Sequence, residues 1–160
     1  MFQIGDKIAY PMHGAGIIEG VEERLILGEE HKYYVVKLSI GSVEVLIPTA
    51  TIEDIGVRYI VSSEEADEVI RNFGVYQDTQ EDNNWNKRQR EYLEQLKTGH
   101  LPDVSKITHL LLLKDRKKSL SNAERKMLNY AKSALISELG LSKNMDCCDV
   151  EQLLMEKISG

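Results

Sequence analysis

The segment Asn83-Asn84-Trp85-Asn86-Lys87-Arg88-Gln89-Arg90 holds the only tryptophan of the chain, followed within five residues by three cations. An aromatic plate ringed by cations suits nucleic acid. The cations meet phosphates, while the indole stacks on a base or wedges between two bases. The same residues also describe a tryptophan packed along Leu93 as a lid on a helical bundle, with the cations as a solvated face. Lys114, Arg116, Lys117, Lys118, Arg125 and Lys126 gather near a later helix junction. They either extend a phosphate-binding surface or are ordinary surface charge.

Other reactive residue types form no chemical pattern. His13, His31, His100 and His109 are scattered, without the spacing of a metal site. Gly14-Ala15-Gly16 lacks the third glycine of a dinucleotide fingerprint and follows no βαβ pattern. The only cysteines, Cys147 and Cys148, are adjacent. Adjacent cysteines are strained as a disulfide and lack the spacing of a zinc knuckle, so a reduced, cytoplasmic protein is expected. No catalytic residue, cofactor or metal is expected, and the chain does not read as an enzyme.

The elements that must position Trp85 and its cations fall into two classes. Residues 1–60 read as short strands: Lys7–Tyr10, Ile17–Val21, Arg24–Leu27, Tyr33–Leu38 and Val43–Ile47, separated by glycine-rich turns. That spacing predicts a small barrel or curled sheet. From Ser63 the periodicity is helical. Ser62 or Ser63 caps a helix with Ala66, Val69, Ile70 and Phe73 on its apolar face, ended by Gly74. The polar stretch Gln77–Asn84 reads as a linker and domain boundary. Asn84 caps a helix from Trp85 to Lys97, and Asp103 starts the next. Ser121-Asn122-Ala123-Glu124 is a capping box for a third helix, with Gly140 at its C-terminal cap; a last helix carries Val150, Leu153, Leu154 and Ile158. The expectation is an α+β chain of two domains. Residues 1–60 form the β domain, 61–82 a helix and linker, and 83–160 an all-α compact helical bundle.

Charge follows the same division. The whole chain of 160 residues carries a net charge of −6, which by itself disfavours nucleic acid. Residues 1–80 hold 6 Lys/Arg against 14 Asp/Glu, whereas Asn83–Lys132 holds 12 basic and 5 acidic residues. Two modules with different partners fit that asymmetry.

The chain resembles the CarD/CdnL family of bacterial transcription regulators over essentially its full length. The resemblance rests on residues 5–16, GDKIAYPMHGAG, on Tyr34-Val35-Val36-Lys37-Leu38, on Pro48 and on Ile55-Gly56-Val57-Arg58. In the second half it rests on Asn84-Trp85 entering a basic helix and on residues 120–128, LSNAERKML. The first block also fits the polymerase-interacting module of transcription-repair coupling factors. The C-terminal match favours a stand-alone regulator.

The resemblance implies a Tudor/SH3-like small β-barrel that binds the RNA polymerase β subunit. It also implies a helical domain that meets promoter DNA, through the minor groove, at the upstream edge of the transcription bubble. Trp85 falls at the family's wedge position, with Lys87, Arg88 and Arg90 beside it and Arg125 at a further basic position near the DNA. Arg24 matches an arginine that contacts the β subunit, whereas Leu46 replaces a second family arginine. Strand pattern adds Val45, Leu46 and Ile47 as an edge on which a β-subunit strand can pair. The competing readings are an adaptor that uses Trp85 as a protein–protein anchor, and a reader of methylated side chains built on Tyr10, Tyr33, Tyr34 and Tyr59.

Overall fold

The computed structural model describes residues 2–75 and 85–159, with backbone only for 85, 86 and 159. Five strands come first: β1 Lys7–Tyr10, β2 Gly14–Ile26, β3 Glu29–Leu38, β4 Glu44–Pro48 and β5 Arg58–Tyr59. Five helices follow: α1 Ser63–Asn72, α2 Trp85–Thr98, α3 Leu101–Lys117, α4 Asn122–Lys143 and α5 Cys147–Ser159.

The strands form one antiparallel sheet in the order β4-β3-β2-β1-β5. The two runs expected at Ile17–Val21 and Arg24–Leu27 are one strand, β2, with a bulge between Ile18 and Gly20. A bulge turns a long strand without ending its ladder. β2 and β3 are joined through Leu27 and Gly28, both at positive φ, which matches the twist of a tight hairpin.

The ladder does not close into a barrel. β5 is two residues long and pairs with β1 alone. In place of strand closure, Ile52 and Val57 from the segment after β4, with Phe2, cover a core of Ile8, Ile18, Tyr34, Val36, Leu38 and Ile47. Alternation sends the other residues of the same strands to the opposite face. Ala9, Ala15 and Arg58 lie there, on facing positions of β1, β2 and β5. Their small neighbours let α4 approach.

The helices build a second core. Leu96, Leu101, Val104, Ile107, Leu111, Met127, Leu128, Ala131, Leu135, Leu139, Val150 and Leu154 pack with Ala66, Val69 and Phe73 of α1. Met12, from the β1–β2 turn, packs against this helical core. The stretch Gln77–Asn84, with the cap expected at Asn84, lies outside the described residues.

Ser62 is the cap of α1, and Ser121 with Glu124 forms both halves of the capping box of α4. Two boundaries differ from the sequence reading. α3 begins at Leu101 rather than Asp103, because Pro102 sits in the first turn, where a missing N–H costs nothing. α4 runs through Gly140 to Lys143 and is ended by Asn144 at φ 56. Gly140 instead makes room: a Cβ there would lie 3.0 Å from the Met145 carbonyl oxygen, as the chain folds back toward α5.

Candidate functional site

Two surfaces and the seam between them make up the site. On the sheet, β4 is an edge strand whose outer backbone has no ladder partner among the described residues. Ile47 points into the core, Leu46 lies on the opposite face, and Val45 packs partly against the core. The expectation for these three side chains is thus divided. Ile47 offers only its backbone to a partner, whereas Leu46 offers its side chain. By register, Leu46 shares its face with Val35, Tyr33 and Arg24. Arg24 stands on the hairpin just past the end of β4, half exposed, with Glu22 at 3.4 Å. The hairpin tip beyond it, Leu25 to Leu27, is an exposed apolar turn.

The helical surface begins at α2. Trp85 opens that helix, and its side chain lies outside the described residues. Lys87 and Arg90 are exposed. Arg88 is half-buried, its guanidinium 6.0 Å from the ring centroid of Tyr92 one turn on, in a cation–π arrangement. Arg90 and Gln89 border a groove floored by Leu93, Ala123, Met127 and Tyr130, with Lys126 on its far wall. The first turn of α2 contains no acid.

The later cations are not equivalent. Lys114 lies 2.7 Å from Glu124 and is largely taken up inside the fold. Arg125 is exposed and paired with Asp115 at 3.1 Å. Arg116 donates to the Ile158 carbonyl. Lys117, Lys118 and Lys126 are exposed. Burial pushes the Glu124 carboxyl up, but hydrogen bonds from Lys114 and Ser121 and the Lys114 charge outweigh it and hold it below the usual range.

The four tyrosines proposed for an aromatic cage do not converge. Tyr34 and Tyr59 pack on Phe2, Tyr10 stacks on His13, and Tyr33 lies on the opposite face of β3 from Tyr34. Gly14-Ala15-Gly16 has a structural use. A Cβ at Gly16 would lie 2.5 Å from the Lys37 carbonyl oxygen, and one at Gly14 3.0 Å from Ser137 Oγ. His109 is buried beside Phe73. Burial lowers its pKa and keeps it neutral. Among the described residues no three His, Cys, Asp or Glu side chains gather as a metal site, and no helix is long and apolar enough to cross a membrane.

Sequence reasoning missed the seam. Arg58 on β5 makes a bidentate fork to Glu138 on α4, at 2.7 and 2.9 Å. Glu138 also accepts from the Val61 amide at 2.9 Å. Ser137 Oγ accepts from the Ala15 amide, Ser142 Oγ donates to the Val61 carbonyl, and Lys143 Nζ reaches Asp67 at 2.8 Å. A signal was present. Ser137 and Glu138 interrupt the apolar run Leu135-Ile136 to Leu139, and a polar pair there needs partners from another element.

The two halves of this arrangement match two family descriptions. Residues 2–61 match the CarD-like/TRCF RID domain, and residues 68–155 match the CarD C-terminal domain. A relative from Bacillus subtilis (strain 168), named "Putative transcription factor YdeB", is 36% identical over 147 residues. That alignment covers 91% of this chain and 94% of the relative. With both modules matched and joined by one continuous seam, the chain belongs to the CarD/CdnL family of transcription regulators.

Proposed function

We propose that this protein holds the RNA polymerase β subunit with its Tudor-like sheet and stabilises the promoter open complex with α2, Trp85 acting as a minor-groove wedge at the upstream bubble edge. The observation that carries the reading is the exposed basic start of α2 on a chain whose other module matches a polymerase-related domain. The free edge of β4 can pair with a β-subunit strand, and Arg24 and Leu46 share the face beside it.

Physically, a protein shifts promoter opening only by its differential affinity for the open and closed forms. A wedge costs a few kcal/mol per unstacked step in intact duplex and less where the step is already broken, so it favours the junction. Lys87, Arg88, Arg90 and Arg125 add phosphate attraction without sequence preference. Phosphate contacts of this number give weak binding that falls steeply with salt. Tethering through polymerase supplies the effective concentration that free binding lacks. The acidic sheet module limits non-specific coating of DNA.

The test is the lifetime of a promoter open complex with polymerase and the full chain, against Trp85→Ala. A longer lifetime with the wild type, lost in the variant, is expected. Equal lifetimes refute the wedge. One observation favours a second reading: the apolar groove of Leu93, Ala123, Met127 and Tyr130 beside Arg90 also suits a protein anchor. An adaptor on polymerase without DNA contact would leave crosslinking of α2 to promoter DNA at background.

A further inference from the structure

We infer that the Arg58–Glu138 fork is a positioning device. It sets the angle of α2 to the sheet, so that a polymerase bound on the sheet holds the basic end of α2 at one place. This inference rests on the reading above.

One guanidinium joins three elements. Arg58 belongs to β5. It grips both carboxylate oxygens of Glu138 on α4, and its Nη2 also donates to the Gly99 carbonyl, at the turn between α2 and α3. The Glu138 side chain is only 3% exposed. A buried ion pair is weak evidence of stability, since apolar residues of similar volume often serve as well. What a bidentate fork adds is a fixed relative orientation. The same turn is held from its other side. The Pro11 ring lies between two glycines: a Cβ would meet Pro11 Cγ at 3.3 Å from Gly56 and 3.2 Å from Gly99. The C-terminal end of α2 is thus clamped between the β1–β2 turn and the fork.

The geometry amplifies a small error at that joint. α2 has 14 residues, so at 1.5 Å per residue it is a lever of about 20 Å. A rotation of about 15° at Gly99 carries its basic end about 5 Å, which is more than a hydrogen bond or a stacked base tolerates. Trp85, Lys87 and Arg88 stand at the far end of the lever, and Gly99 at the fulcrum.

The test is the double variant Arg58→Met/Glu138→Leu in the full chain. It removes the fork, the bond to Gly99 and the acceptor of the Val61 amide, and leaves no unpaired charge. Nitroxide labels at Lys37 and Glu91, both exposed, are placed in a Cys147→Ser/Cys148→Ser background. The distance distribution is expected to be at least twofold broader than without the double substitution. Affinity for a β-subunit fragment and for forked DNA, measured separately, is expected to stay within twofold. The gain in open-complex lifetime is expected to fall at least threefold. A distribution as narrow as the parent's overturns the inference, and so does a full lifetime gain from a broadened joint. If circular dichroism shows the double variant unfolded, Arg58→Lys, which keeps the charge and loses the fork, is judged by the same two outcomes. A wild type that gives no lifetime gain refutes the proposed function instead, and the distance distributions then decide the joint alone.

Discussion

Ser137→Ala tests the seam most directly. β3 ends at Leu38, which faces Gly16; on that side Ser39 donates to the Ala15 carbonyl, but among the described residues the ladder supplies no acceptor for the Ala15 amide. Ser137 of α4 supplies the missing acceptor at 2.8 Å. Both groups are buried, Ala15 and Ser137 each to 1% exposure. Removing the hydroxyl therefore strands a buried N–H, at a cost of about 2 kcal/mol. Alanine returns about 0.5 kcal/mol through its better helix propensity. The net loss of about 1.5 kcal/mol corresponds to about 3–6 °C in Tm for a chain of this size. Ser142→Ala is the matched control on the same helix. Its hydroxyl donates to the carbonyl of Val61, a half-exposed residue whose oxygen can turn to water. Its lost bond is worth about 0.5–1 kcal/mol, nearly offset by the same propensity gain. Urea and thermal unfolding of the two variants, read by circular dichroism, give the comparison. Ser137→Ala costing no more than Ser142→Ala would refute the claim that α4 completes the sheet's hydrogen bonding.

Gly16→Ala should destabilise by about 1–3 kcal/mol, because the new methyl meets the Lys37 backbone rather than a movable side chain. Gly20→Ala, with open space around it, should be neutral or slightly stabilising; a chemical unfolding series ranks the two, and the reverse order would contradict the close-approach argument. The Glu124 carboxyl is depressed in the fold, so its contribution is full above its unfolded value of about 4.3 and is lost as pH falls through the lower folded value. Glu124→Gln should flatten that acid limb in an unfolding titration, and an unchanged limb would place the lost stability elsewhere. His109 favours its neutral form in the fold, yet the sign is the same: its folded value is lowered, so stability is full above about pH 6.5 and falls as the pH drops toward the folded value. His109→Leu should remove that loss, which stability at pH 7 and pH 5.5 will show. Lys87→Ala and Arg90→Ala should each reduce the salt slope of forked-DNA binding by about 1, and unaltered slopes would remove those residues from the phosphate contacts.

Local chemistry was legible along most of the chain. The strand runs, the turns at Gly28 and Gly41, the Ser62 cap and the capping box at Ser121 all rest on a few adjacent residues, and such signals survive folding. Gly140 was misread because a glycine near a helix end looks the same whether it permits a left-handed turn or a close approach. The chain returning at Met145 is what separates the two. The barrel expectation went too far for a similar reason. Strand count and spacing do not say whether the first and last strands pair, and the two residues of β5 reach only β1.

Composition and periodicity alone separate an acidic set of strands from a set of helices with a basic stretch at Asn83–Lys132, and they put Trp85 and its cations at a helix start. That the halves are locked together, and by which residues, follows from the packing in three dimensions. Arg58 and Glu138 stand 80 positions apart, and Ala15 and Ser137 stand 122 apart. No periodicity links such pairs. They meet because β2 runs past the end of β3, which leaves an amide and a face of small residues against which α4 packs.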